Sequence, residues 1–148
     1  MFCKLVVDTI KNHPKIVEAE YLEKNPHILR ATTSIILCNN EYIELFFTYR
    51  PNCFDIHSPN DKFKEPLIVS EFGNTAEQLI YMGIHMKSHI IGQIKNVIKP
   101  YYCTYLHGDI TYTCNNLQDI NHAINRIPGA CKAIANKFQY LSRLKKEN

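Results

Sequence analysis

Ile28-Leu-Arg-Ala-Thr-Thr-Ser-Ile-Ile-Leu-Cys38, then Asn39-Asn40, then Glu41-Tyr-Ile-Glu-Leu-Phe-Phe-Thr-Tyr49, is the stretch that decides the fold. Both runs are rich in β-branched and aromatic residues, which suit a pleated, half-buried surface. The Asn pair tolerates the left-handed backbone of a tight turn, so the stretch predicts an antiparallel hairpin. Ile43, Leu45, Phe47 and Tyr49 share one face of the second strand. Glu44, Phe46, Thr48 and Arg50 share the other, so one side of the sheet is expected to be buried.

Working outward, Phe2, Leu5, Val6 and Ile10 fall on one face of a short helix that Pro14 stops. Residues 15–24 alternate imperfectly and predict an edge strand. Residues 53–57 and 67–71 predict two more short strands around a polar loop at 58–65. Asn74 with Glu77 forms a capping-box pattern that opens a helix running to Lys99, where Pro100 ends it. Residues 101–107 and 110–114 predict a second hairpin. A two-residue loop at Gly108-Asp109 would set Cys103 opposite Cys114 and Tyr105 opposite Tyr112. Asn115 or Asn116 caps a helix from Leu117 to Arg126, Pro128-Gly129 breaks it, and a last helix follows from Ala130 to Lys145. Its packed face is Ile127, Cys131, Ile134, Phe138, Leu141 and Lys145. The order α-β-β-β-β-β-α-β-β-α-α, with short links between strands, predicts one α+β domain over 1–148. Its sheet is mostly antiparallel, with about five to seven strands packed against helices.

Composition bounds the function classes. With 148 residues, 45% hydrophobic and 21% charged, the chain can bury a core without disulfides or metal. No apolar run approaches the roughly 18–20 residues of a membrane span, and the first residues are too short an apolar run for a secretory leader. A reduced, cytoplasmic setting and no membrane partner are therefore expected, with the six cysteines as buried thiols. Ile, Asn, Lys and Tyr make up 55 of the 148 residues, a bias of AT-rich coding sequence. It fits a virus or a low-GC bacterium, and in the viral case the host cytoplasm. Residues 1–73 carry 8 Lys/Arg against 10 Asp/Glu, and residues 74–148 carry 9 against 4. A basic C-terminal half favours nucleic acid or acidic surfaces, weakly at this magnitude.

Several constellations bear on chemistry. His85 and His89 are spaced four apart on a helix, as zinc ligands are, but Met86 replaces the glutamate a zinc protease needs. By helical periodicity they face away from the stripe of Ala76, Leu79, Gly83, Ile90, Ile94 and Val97, as two surface histidines. Lys87 falls inside that stripe, where its stem snorkels to the sheet edge, pairs with a carboxylate such as Glu44, or sits desolvated for chemistry. Met82, Ile84, Met86 and Ile91 widen the stripe to about 200°, twice what one packed face needs. The extra arc predicts cover by the last helix or by a second copy of the chain. Asp55 and His57 are candidates for a small hydrolytic site in a polar segment. Lys132, Lys137, Arg143, Lys145 and Lys146, with Phe138, Tyr140, Tyr101, Tyr102 and Tyr105, make a basic, aromatic set suited to phosphates and bases.

His107-Gly108-Asp109 resembles the catalytic loop of aminoglycoside-phosphotransferase-like kinases over three residues. The Gly-rich loop and strand lysine of that family have no counterpart here, and turn chemistry accounts for Gly108 and Asp109. The helix–three-strands–helix–two-strands–helix core resembles small dimeric secretion chaperones in topology, without their sequence pattern or usual acidity. No phosphate loop, dinucleotide fingerprint or nucleophile signature is present, and no cofactor is expected. The expected function is therefore a non-enzymatic protein-interaction or regulatory module acting as a homodimer. The alternatives are nonspecific nucleic-acid binding through the C-terminal half and a small hydrolase or nuclease near Asp55 and His57.

Overall fold

The computed structural model describes residues 4–36, 42–48, 62–71, 88–106 and 108–147. They form α1 (Lys4–Lys11), β1 (Ile16–Leu22), β2 (Asn25–Ile36), β3 (Tyr42–Thr48), β4 (Lys62–Glu71), α2 (Ser88–Ile98), a 3-10 turn (Lys99–Tyr101), β5 (Thr104–Leu106), β6 (Asp109–Asn116) and α3 (Leu117–Glu147). The strands make one antiparallel six-stranded sheet in the order β1-β2-β3-β4-β6-β5. With the three helices this is the expected α+β fold, and 15–24 is the expected edge strand.

Strands β2 and β3, the two runs of the expected hairpin, pair antiparallel with Leu29 opposite Phe47 and Ala31 opposite Leu45; the expected turn at Asn39-Asn40 lies outside the described residues. Alternation then does the rest. Ile43, Leu45 and Phe47 are buried, while Glu44, Phe46 and Thr48 are half-buried on the other face. The register carries the buried face across the sheet in a single row: Tyr21, Leu29, Phe47, Val69, Tyr112. Irregular pairing between Thr32 and Ile36 bends β2. There the buried Thr33 hydroxyl donates to Ile43 O at 2.8 Å and accepts from Ile35 N–H at 3.2 Å, occupying backbone groups the ladder leaves over.

The helices form one layer on that face, α1 against β1 and α3, α3 against β4 and β6, α2 against α3 and β5. Asn116 caps α3, as expected: its Oδ1 accepts from Asp119 N–H at 2.9 Å, and Asp119 Oδ2 accepts from Asn115 N–H at 2.8 Å.

Four expectations need correction. First, α3 does not break at Pro128-Gly129; it runs unbroken to Glu147. Pro and Gly cost about 3 and 1 kcal/mol in a helix interior. Yet Ile120, Ile124, Ile127, Ile134 and Phe138 are all fully buried on both sides of the pair, at ~1.5–3 kcal/mol each. Burial of one continuous stripe outweighs the local penalty. Second, β5 pairs with β6 two residues out of the expected register, with Leu106 opposite Asp109 and Tyr105 opposite Ile110 rather than Tyr112. On the other side of β6, Cys114 faces Leu67 on β4, and Cys103, Cys114 and Cys131 are buried free thiols. Gly108, at φ 92°, supplies the left-handed residue of this connection. Third, Leu5 is 52% exposed, and α1 is anchored by buried Val6 and Ile10 with Val7 partly buried beside them, while Phe2 lies outside the described residues. Fourth, β4 begins at Lys62, inside the segment expected to be a polar loop. The expected strand at 53–57 lies outside the described residues, as does the helix before Ser88.

Gly129 sits where the 3-10 turn meets α3. A Cβ there would lie 2.7 Å from Tyr101 Cε1 and 3.0 Å from Cδ1. Gly129→Ala gains about 1 kcal/mol of helix propensity but displaces a packed ring, at about 1–3 kcal/mol. A net loss of ~1 kcal/mol is expected in urea denaturation. In the background Tyr101→Ala the same change should instead stabilise by about 1 kcal/mol, the helix propensity that remains once the ring is gone.

Candidate functional site

The 3-10 turn after α2 delivers Tyr101, Tyr102 and Cys103 to the end of the sheet beside α3. Pro100 lies at its start. Tyr102 ends it in the left-handed conformation, φ 58° and ψ 24°, with its N–H donating to Lys99 O at 3.0 Å. A bulky residue in this region pays about 1–2 kcal/mol that glycine would not. The conformation turns a 72%-exposed ring onto α3, where it covers the Arg126 guanidinium with Cζ 4.6 Å from the ring centroid. Tyr112 approaches the same guanidinium from β6. Its ring centroid is 5.6 Å from Cζ, and its hydroxyl accepts from Arg126 Nη1 at 2.6 Å.

Arg126 thus joins sheet, turn and helix. It sits beside Ala123, Ile127 and Ala130 at the border of the buried stripe, which is why it is half-buried. Among the described residues no carboxylate forms an ion pair with it. Arg30, by contrast, pairs with Glu20 directly across β1 and β2. Asp119 is nearest in kind, but it caps α3 and lies 3.6 Å from His122.

The surroundings are protonated at neutral pH. Burial pushes the Cys103 thiol up to about 12, with the Arg126 charge opposing it, and the thiol donates to Tyr101 O at 3.5 Å. Burial also raises the Tyr112 hydroxyl, against Arg126 and helped by Asp119 and Cys114. Tyr105 is raised by burial and by the charge of Asp109. A thiol so far above its ordinary range is almost wholly protonated near pH 7, and in that form it is a poor nucleophile. The cluster presents a fixed cation among aromatic rings, which suits binding.

Of the sequence-derived candidates, Tyr102 stands in this cluster and Tyr101 on the turn that delivers it. Asp55, His57, Lys87, His107, His85, Met82, Ile84 and Met86 lie outside the described residues. His89 opens α2 with its side chain outside them. Ile91 is half-buried on α2, which packs on α3, and Gly92 beside it is exposed. Lys132 and Lys137 are exposed on α3; Arg143, Lys145 and Lys146 follow on the same helix, their side chains outside the described residues. Phe138 cannot serve as a base platform, because it is wholly buried in the core stripe. Among the described residues no three His, Cys, Asp or Glu side chains gather as a metal site, and no helix is long and apolar enough to cross a membrane. Two features escaped the sequence. Arg126 carries no motif, and only its place at the edge of an apolar stripe marks it. Glu71 is fully buried at the end of β4, facing Ile110. Comparison with protein-family models, curated proteins and solved structures finds no match to this chain.

Two outcomes follow from the site. Replacing Tyr102 by Gly relieves the left-handed backbone cost but loses ~0.5–1 kcal/mol of ring–cation attraction and adds about 0.5–1 kcal/mol of unfolded-state entropy. Stability should stay within about 0.5 kcal/mol in urea denaturation. For Cys103, folding favours the neutral thiol. Its stabilisation is complete below the ordinary value of 9.0 and is lost as pH climbs toward about 12. The urea midpoint should fall steadily above pH 9, less steeply in Cys103→Ala, and iodoacetamide at pH 8 should label Cys103 only after unfolding.

Proposed function

We propose that the chain is a non-enzymatic protein–protein interaction module whose partner adds to the β1 edge of the sheet. The supporting observation is the apolar surface left at that edge. Val17 is 67% exposed and Tyr21 37% exposed on β1, and Leu5 is 52% exposed on α1, the helix that packs against β1. At seven residues, β1 is long enough to template a further strand. Pairing β1 with a second copy about Ala19 would set Glu18 against Glu20, and like charges opposite one another repel. A partner strand with basic residues opposite Glu18 avoids this. Self-association through Met82, Ile84, Met86 and Ile91 is the dimeric form of the same reading; α2 already packs on α3, so an apolar arc left over beyond that contact would meet a second copy.

The nucleic-acid reading keeps exposed Lys132 and Lys137 in its favour and loses Phe138 as a stacking platform. The hydrolase reading rests on Asp55 and His57 or on the His85/His89 pair, whose side chains lie outside the described residues.

The test combines light scattering with site-specific photo-crosslinking. A photo-crosslinker at Val17 should give discrete protein adducts in cells, while one at exposed Thr113 gives none. Glu18→Lys, a surface change worth less than about 0.5 kcal/mol of stability, should abolish the adducts. A chain that is dimeric, and becomes a folded monomer as Met82→Glu with Met86→Glu, supports the self-associating form. A monomer without adducts at Val17 overturns the proposal, and salt-sensitive RNA or DNA retention in its place favours the nucleic-acid reading.

A further inference from the structure

We propose that Arg126, held between Tyr102 and Tyr112, binds the phosphate group of a ligand. The first ground is an unspent cation. Arg126 Nη1 donates to the Tyr112 hydroxyl, the one side-chain hydrogen bond that Arg126 makes among the described residues. Nε and Nη2 of this half-buried side chain have no hydrogen-bond partner among the described residues. Nε–H and Nη2–H lie on one edge of the guanidinium, the edge that takes two oxygens of an oxyanion side by side. No described carboxylate pairs with this charge, although Arg30 shows that a carboxylate directly across the strands is within the means of this fold.

The second ground is preorganisation. A free arginine side chain loses much rotamer freedom when it closes on a ligand. Here Tyr112 anchors one nitrogen and the Tyr102 ring covers one face of the plane, so the open edge is already aimed. Tyr102 does this from a left-handed backbone position where glycine would suffice as a cap. Non-glycine residues held in such conformations cluster at ligand sites, where the surrounding contacts fix them.

The third ground concerns the sign and size of the ligand's charge. Lys99 is exposed on the turn that delivers Tyr102, and His122 stands one helical turn before Arg126, 3.6 Å from the Asp119 carboxylate, which is also held in the α3 cap and whose charge reaches Tyr112. A dianionic phosphate gains more from this balance than a monoanionic carboxylate does. The outer face of the Tyr102 ring is open, so a planar group attached to the phosphate has a surface to stack on.

The site is separate from the β1 edge, so either proposal can fail alone. Its test is NMR observation of the Arg126 Nε–Hε signal, assigned by its loss in Arg126→Lys, during titration with inorganic phosphate at constant ionic strength. A saturable shift is expected, absent when chloride replaces phosphate and weaker with acetate. Arg126→Lys should weaken phosphate binding at least tenfold, followed through the amides of residues 102–105, because the two-pronged edge is lost. Tyr102→Leu, at a side chain that makes no hydrogen bond, should weaken it several-fold while the circular dichroism spectrum stays unchanged. Tighter binding of adenosine monophosphate than of phosphate would place a base on Tyr102; equal binding would leave the phosphate as the whole ligand. A linear shift, an equal response to chloride, tighter acetate binding, or undiminished binding in Arg126→Lys would overturn the proposal. Should Arg126→Lys fail to fold, the Tyr102→Leu titration decides, with undiminished binding as the overturning result.

Discussion

Phe47 sits at the centre of the row Tyr21, Leu29, Phe47, Val69, Tyr112, and the rest of the structure depends on that row. It crosses five of the six strands at one height and buries three fully apolar side chains, Leu29, Phe47 and Val69, at 0% exposure. A one-residue slip of any strand would turn its whole buried set to the other face, so the row fixes every register at once. Its last member is a tyrosine whose ring closes the core and whose hydroxyl reaches Arg126. The same residue that ends the hydrophobic row begins the polar site.

The long C-terminal helix converts that sheet into a positioned surface. Its stripe from Ile120 to Phe138 is continuous across Pro128 and Gly129, so the helix cannot stop there without exposing half of what it buries. Gly129 also lets Tyr101 lie flat against the helix. That contact brings Tyr102 over Arg126. A residue type that sequence reading takes as a breaker therefore works here as a place of close approach, as glycine does wherever a neighbouring side chain occupies the volume of a Cβ.

Two surfaces with different physics stand at opposite edges of one sheet. At β1 the side chains are apolar and carry acidic neighbours; at the β5 end they are aromatic around a fixed guanidinium. The Cys103 thiol, which feels the Arg126 charge, is held protonated by its burial. Tyrosine and arginine are the residues that carry much of the energy in binding surfaces, because they bring large contact area at little entropic cost.

By itself the sequence determined the class of fold. Alternation in residues 42–48 separated the two faces of β3, and Asn115-Asn116 marked the start of a helix at Leu117. Such periodic and capping signals are local, since they depend on residues two to four positions apart. The tertiary structure decided what depends on distant residues. It carried α3 through Pro128-Gly129, because burial along a whole stripe exceeds a local propensity cost. It set β5 on β6 two residues out of the register that a Gly108-Asp109 turn suggested, because strand pairing is decided between elements and not by local turn residues. It also made a site of Tyr102, Tyr112 and Arg126, three residues that share no spacing or motif and meet only where turn, strand and helix are packed together.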